Sequence, residues 1–379
     1  MELQLTNEQK LVRETTQRFI AETCNLDVVR RLAGMQAEPD PGYLATAAEL
    51  GWFSMLVPPE RGGGSVSGDG LRDLAIVAEE RGHALQPGPF IGTNVVAQTL
   101  AAHDPSGRAG AVLEALLAGE ASAAWVMGCG SWSPGTGITA TPDGDGYRLK
   151  GRIEMVPDAL GARWLLVTSQ ERGRRIQFLL DADGDEMSVT PEESLDITQR
   201  FGTVTFDGAA VPASAMVRQA RQTADDAEHQ LQTALVLVTA EMVGAADALL
   251  ALAVGYAKDR TAFGRPIGSF QALKHQLADL ALSLEAAKAI AVEAARGVQA
   301  QSADCASLAS IAKAWTSEMA VDVAQGCLQV FGGIGYTWEH DLHLYLRRLT
   351  VNSLLYGGAR CHRRRIWALQ PATAEGGTS

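Results

Sequence analysis

Arg260 and Arg265 flank Phe263-Gly264 and Pro266 within the stretch Tyr256–Leu280, YAKDRTAFGRPIGSFQALKHQLADL. A helical pattern ends here in a basic elbow that contains glycine. A second long helix begins almost at once, with Phe270-Gln271 in its first turn. A guanidinium offers a fork of donors, and a helix start adds unpaired N–H groups, so the string is suited to gripping a diphosphate. A lone Arg at a turn would be an ordinary solvated loop charge; the whole string is more specific. Other groups with chemical potential lie nearby in sequence. Glu241 is a carboxylate seven residues beyond Ala234, on the same helical face. It could reach a displaced substrate as a base, or sit in a polar pair inside the fold. Glu339-His340-Asp341-Leu342-His343 places two imidazoles at i,i+3 without a third ligand at diagnostic spacing, so no metal is expected and a solvated helix start is the reading. Arg360, His362, Arg363, Arg364 and Arg365 form a basic run for a coenzyme phosphate, a partner surface or the end of a helix dipole.

These groups must be carried by a chain of 379 residues, long enough for two or three domains and a large core. Its 46% hydrophobic and 20% charged residues are those of a water-soluble globular protein. The formal net charge of -12 argues against nucleic-acid backbones and anionic membranes as partners. An anionic ligand therefore needs a local basic patch, which the elbow provides. Cys24, Cys129, Cys305, Cys327 and Cys361 are odd in number and far apart, pointing to free thiols in a reducing, cytoplasmic setting. The N-terminus MELQLTNEQK is acidic and polar, and no secretory signal is expected in it. The apolar run from Ala234 to Ala257 contains Glu241 and Asp247. Each would cost about 2.5–3.5 kcal/mol near a bilayer centre, so a buried bundle helix is expected there.

The pattern divides the chain into three. Residues 1–121 read as a helical domain, with Thr6 and Gln9 as a capping box, a helix ending at Glu49-Leu50-Gly51, and another over 69–81. Residues 122–217 alternate in the manner of strands, with Asp143-Gly144-Asp145-Gly146 as a hairpin turn and further strands at 163–168, 175–181 and 201–207. This part is expected to be an antiparallel β sandwich or barrel. Residues 218–370 are helical again and read as a four-helix bundle. Leu273, Leu277, Leu280 and Leu284 form one buried stripe, and Leu308, Ile311 and Trp315 begin another. The tail 371–379 is expected to be disordered. The fold class is α+β.

This order, together with LGWFSMLVPPERGGG, the elbow string and FGGIGYTWEHDLHLYLRR, resembles the acyl-CoA dehydrogenase family over nearly the whole chain. The resemblance implies FAD as cofactor, an acyl-CoA or other acyl-thioester as substrate, and an oligomer in which the nucleotide end of FAD is held by a neighbouring subunit. An electron-accepting flavoprotein is a further implied partner. In the family the Arg, Phe and Gln of the elbow hold FAD, which maps to Arg260, Phe263 and Gln271. A Gln and two glycines before and in the third-domain turn approach the adenine, which maps to Gln329, Gly332 and Gly333.

The sequence departs from the family where the reaction occurs. The usual base is the Glu of a YEGT motif, and Gly357 stands at its place in Leu354–Arg360. Some members carry the Glu on the first bundle helix, 26 residues before the elbow Arg; that position is Ala234. The flavin-facing TE aligns with Met127-Gly128, and GSD becomes Trp132-Ser133-Pro134, retaining Ser133. WITN becomes Met155-Val156-Pro157-Asp158, where proline removes an N–H. The divergent wording resembles an actinobacterial subset, some of whose members form heterotetramers that desaturate steroid side-chain thioesters. The reading is a base-less subunit that completes the FAD site of a partner supplying the Glu. Two alternatives stand beside it: a homo-oligomer repurposed for another oxidation or a cyclisation without hydride transfer, and a flavin-free binding or regulatory protein. Gly357→Glu is expected to raise dehydrogenation if a flavin is bound and the pocket still fits a thioester.

Overall fold

The computed structural model describes residues 4–370 apart from 36, 38, 103–106, 128–136, 186 and 219–222. Ser133 and the expected tail at 371–379 lie outside the described residues. The chain opens with α1 (Asn7–Thr23), α2 (Leu26–Met35), α3 (Pro41–Glu49), α4 (Gly70–His83), α5 (Ile91–Ala101) and α6 (Arg108–Leu117). The Thr6–Gln9 capping box is present in both directions, each bond 3.2 Å. Asp69 caps α4 by accepting from Arg72 N.

The middle strands are β1 (Ala123–Val126), β2 (Ile138–Asp143), β3 (Gly146–Pro157), β4 (Trp164–Glu171), β5 (Arg174–Asp181), β6 (Ser188–Glu192), β7 (Phe201–Pro212) and β8 (Met216–Arg218). They form one sheet in the order β6-β7-β3-β2-β4-β5-β8, with β1 beside β4. The β2–β3 hairpin closes at Asp143↔Gly146, where the sequence places a turn. The sheet is antiparallel except at β1–β4 and β2–β4. A parallel pair needs a long crossover, and for β1–β4 the intervening β2–β3 hairpin supplies it. Alternation along β1 is decisive for the site. Ala124 and Val126 join the core of the sheet with Leu165, Val167 and Phe178. Trp125 and Met127 face the core shared with the helices.

The last third contains α7 (Thr223–Asp259), a short hairpin of β9 (Thr261–Ala262) and β10 (Arg265–Pro266), then α8 (Gln271–Gln299), α9 (Cys305–Phe331), α10 (Leu342–Leu354) and α11 (Ala359–Leu369). The first four helices make the bundle, and α11 packs on α9. The most apolar window of α7 is 83% buried within the protein, so this is a core helix. It meets α4 at two glycines: a Cβ on Gly82 would lie 2.0 Å from Glu241 O, and one on Gly244 would lie 1.8 Å from Glu79 O. The Leu273–Leu284 stripe packs against the core. The second expected stripe is wrong. Ile311 and Trp315 are exposed, while Ala309, Ala312, Lys313 and Thr316 are buried. α9 lies against α7, α8, α10 and α11. Close approach on several sides favours small side chains such as Ala309 and Ala312, and Ile311 and Trp315 occupy the strip left open.

Candidate functional site

The elbow is a two-residue β-hairpin. Phe263 (φ +53) and Gly264 (φ +77) both adopt positive φ between β9 and β10, the geometry of a type I′ turn. A non-glycine residue there is strained, and Phe263 is also 94% exposed. Its ring meets Phe270 edge-on at 6.1 Å, and Arg265 lies over Phe270 at 4.1 Å. Arg265 is thus occupied by an aromatic face. Arg260 is exposed, with its carbonyl accepting from Ile267 N at 2.8 Å. Gln271 is the exposed first residue of α8, whose start has no side-chain cap.

The glycine turn follows α9. Gly332 has φ +62 and ends the helix; a Cβ on Gly332 or Gly333 would meet nothing within 4 Å. The backbone is open to a flat ring laid on it. Gln329 is exposed one turn before. Tyr256 near the end of α7 and Phe331 at the end of α9 have ring centroids 4.7 Å apart, so elbow and glycine turn share one end of the bundle.

The α10–α11 turn lies elsewhere, against the sheet. Tyr356 packs on Trp125 of β1, with centroids 5.5 Å apart. Gly357 is buried with φ +102, and a Cβ there would lie 3.1 Å from His362 Nε2. A Glu placed there would be strained as well as crowded. Ala234 is fully buried in α7. Met155 (φ +54) and Asp158 (φ +57) bracket Val156-Pro157 at a bulge in β3, so the segment aligned with the family's flavin cover has an irregular backbone. Trp125 Nε1 on β1 and Asn94 Oδ1 on α5 are buried without partners among the described residues.

Glu241 is in a polar pair. Its Oε1 accepts from Arg348 Nη1 at 2.5 Å. Arg348 is completely buried; its Nε donates to Asp196 at 2.6 Å and its Nη2 to Thr198 Oγ1 at 2.7 Å. It also meets the carbonyls of Leu85 and Gln86. Burial alone would lower the Arg348 pKa, but Asp196 and Glu241 hold it above its ordinary value. One guanidinium ties α10, α7, the β6–β7 connection and the α4–α5 loop together. The partner of Glu241 lies 107 residues away, beyond what helical spacing encodes.

The remaining polar candidates are structural in their contacts. His340 Nδ1 accepts from Leu342 N, and His343 stacks on Trp338 at 4.6 Å. The basic run begins α11 rather than ending a helix, which corrects the dipole reading. Arg365 is buried and pairs with Glu228 and Ser310, and Arg363 pairs with Glu318. Arg360 and Arg364 remain exposed.

A helical domain, a mixed sheet and a helical bundle, with a basic elbow and a glycine turn at one end, define the acyl-CoA dehydrogenase fold. The family signatures agree: "Acyl-CoA dehydrogenase, N-terminal domain" matches residues 6–120 and "Acyl-CoA dehydrogenase, C-terminal domain" matches 224–368. The protein is 30% identical over 370 residues to "Acyl-CoA dehydrogenase IpdE2" of Mycolicibacterium smegmatis, covering 96% of this chain and 99% of that protein. The solved ChsE4-ChsE5 complex from Mycobacterium tuberculosis superposes with a TM-score of 0.86 at 25% identity, over 98% of this chain and 100% of that one. A variant of the Tcur3481-Tcur3483 steroid ACAD gives 0.84 at 26% identity, over 96% and 97%. The chain belongs to the acyl-CoA dehydrogenase family, whose members are FAD-binding oxidoreductases of lipid metabolism.

Proposed function

We propose that this chain is the base-less subunit of a heteromeric, FAD-dependent acyl-CoA dehydrogenase that forms the α,β-double bond of an acyl-CoA thioester. The substrate class is a bulky acid such as a steroid side chain, by analogy with the steroid ACAD it resembles. The observation that carries the reading is the state of the three candidate base positions. Gly357 has no side chain, Ala234 is apolar and buried, and Glu241 is bound to Arg348. No carboxylate at these positions is available to remove an α-proton.

The nucleotide end fits this chain better than the reacting end does. Arg260, Phe263 and Gln271 are exposed around a helix start, and Gly332-Gly333 leave open backbone, so these groups would hold the diphosphate and adenine. Bound FAD supplies the hydride acceptor for the thioester's β-carbon. Around the turn facing the sheet, Trp125 and Tyr356 exclude water, while Trp125 Nε1 and Asn94 Oδ1 are buried groups that a bound polar partner would satisfy. Eighteen residues of α9, roughly 27 Å of helix, separate the Phe331 end from Lys313, which contacts the last turn of α10, just before the α10–α11 turn. A grip so far from its own turn is suited to a nucleotide whose ring lies in a neighbouring subunit. The partner would supply the Glu and the pocket beside it.

The test is purification of the chain alone and with a family member carrying Glu at the position of Gly357. The complex is expected to retain FAD and desaturate an acyl-CoA. The chain alone should be slower by about 10²–10⁴-fold, the usual cost of a missing base. Ordinary turnover by the chain alone would sink the reading.

A further inference from the structure

Buried side chains hold the last turn of α10 from one side and the α10–α11 turn from the other. From α9, the fully buried Lys313 donates from Nζ to Ser317 Oγ at 2.9 Å and to the carbonyls of Asn352 at 3.0 Å and Ser353 at 2.9 Å. From α11, the fully buried His362 places Nε2 at 3.0 Å from the carbonyl of Tyr356. A carbonyl only accepts, so Nε2 carries the proton and Nδ1 the lone pair. Nδ1 has no partner among the described residues.

Between these grips the backbone takes two positive φ angles in succession, +59° at Tyr356 and +102° at Gly357. The direction a side chain would take at 357 is defined. Its Cβ would meet His362 Nε2 at 3.1 Å, His362 Cδ2 at 3.5 Å and Cys361 Cβ at 3.5 Å, all in the first turn of α11. Two independent constraints thus act on one position. The left-handed φ disfavours any side chain, and the imidazole stands where that side chain would begin.

We propose that His362 is a positioning residue that fixes this turn in a glycine-only form, with the residue-357 side-chain direction aimed into α11. Loss of the carboxylate is then a property of the backbone and is not reversed by a substitution at 357 alone. The idea rests on the reading that this subunit lacks its own base, but it concerns the turn itself, and its main test needs neither flavin nor substrate.

The test is a double-mutant cycle on the whole chain, read by urea unfolding. Gly357→Ala is expected to lower the folded-to-unfolded ratio about tenfold in the native background. In the His362→Ala background the turn can relax, and the same change should cost less than about threefold. His362→Gln keeps a donor that can reach the Tyr356 carbonyl, and with it the tenfold penalty should return. A loop that merely tolerates His362 would give equal penalties in all three backgrounds, and that result overturns the proposal. If a variant fails to fold, the unaltered chain labelled with ¹⁵N-histidine decides: His362 must be the neutral Nε2–H tautomer, and a dominant Nδ1–H form overturns the proposal. Gly357→Glu in the otherwise unaltered chain should add no dehydrogenation. If it restores a normal rate, the turn is not locked, while the reading of a base-less native subunit survives. If instead the native chain alone proves active, that reading fails, and the cycle still reports on the turn.

Discussion

The rings of Tyr256 and Phe331 pack 4.7 Å apart and lock the end of α7 to the end of α9. Two segments separated by some 70 residues of sequence thereby become one surface: the elbow with Arg260, Phe263 and Gln271, and the turn with Gly332 and Gly333. Phe331 also meets His340 at 4.3 Å, which extends the packing to the start of α10. The aromatic contact holds the ends together from inside and leaves the polar groups free for a ligand outside.

If the proposed grip is right, Arg260→Ala should weaken FAD retention in the proposed complex by roughly 10–100-fold, the loss of one charge-assisted contact of about 1.5–3 kcal/mol. Unfolding of the chain should barely change, because the side chain is exposed. Flavin absorbance per protein after gel filtration measures the first effect and a thermal melt the second. Unchanged flavin content would remove Arg260 from the grip.

Arg348→Ala should be severe. It leaves Asp196 and Glu241 buried without their cation, a loss of about 3–5 kcal/mol. Urea unfolding of the chain reads it directly. Glu241→Gln retains one acceptor for Arg348 and should cost less. If Glu241→Gln abolished turnover in a complex of undiminished stability, Glu241 would have to be counted as a catalytic group.

Acid should weaken the α11 contact before it protonates most carboxylates. Burial, and after it the charge of Lys313, pushes the His362 pKa down to about 4 from an ordinary 6.5. Between those values the unfolded chain binds a proton that the folded chain refuses. The stabilisation is therefore complete above pH 6.5 and is lost as pH falls towards 4, by roughly 3 kcal/mol in total. Unfolding midpoints at pH 7, 5.5 and 4.5 should fall in sequence, and His362→Gln should flatten that part of the profile. A native profile no steeper than the variant's would contradict the buried neutral imidazole.

Gly244→Ala tests the helix crossing. Its Cβ would press to 1.8 Å from Glu79 O, which is backbone and cannot rotate away. α4 and α7 would have to separate, with a loss of about 1–3 kcal/mol or more. Equilibrium unfolding against Gly255→Ala, where a Cβ meets nothing within 4 Å, provides the control.

Local signals were legible in the sequence. The Thr6–Gln9 box, the Asp143–Gly146 turn and the elbow are each set by a few neighbouring residues, and each forms where their chemistry requires. What escaped was fixed by distant partners. Ile311 and Trp315 have helical spacing that is correct for a stripe, but spacing does not say which face of α9 its neighbours occupy. Glu241 is one half of a pair whose other half, Arg348, is brought in by the bundle. Gly357 marks a missing side chain in the sequence; only the φ angle and His362 reveal where that side chain would have pointed. The parallel run of β1 beside β4 likewise depends on a crossover that alternation within a strand does not encode.

A benzyl ring carried outward on a left-handed turn has a consequence for handling the molecule. Phe263 contributes almost nothing to the interior of its own protomer, yet it presents an oily tip to water. If the proposed companion and nucleotide cover that tip, chains synthesised in excess over them would carry it bare, and yield and colloidal behaviour should follow the stoichiometry of co-production, whatever the intrinsic melting point of the single polypeptide.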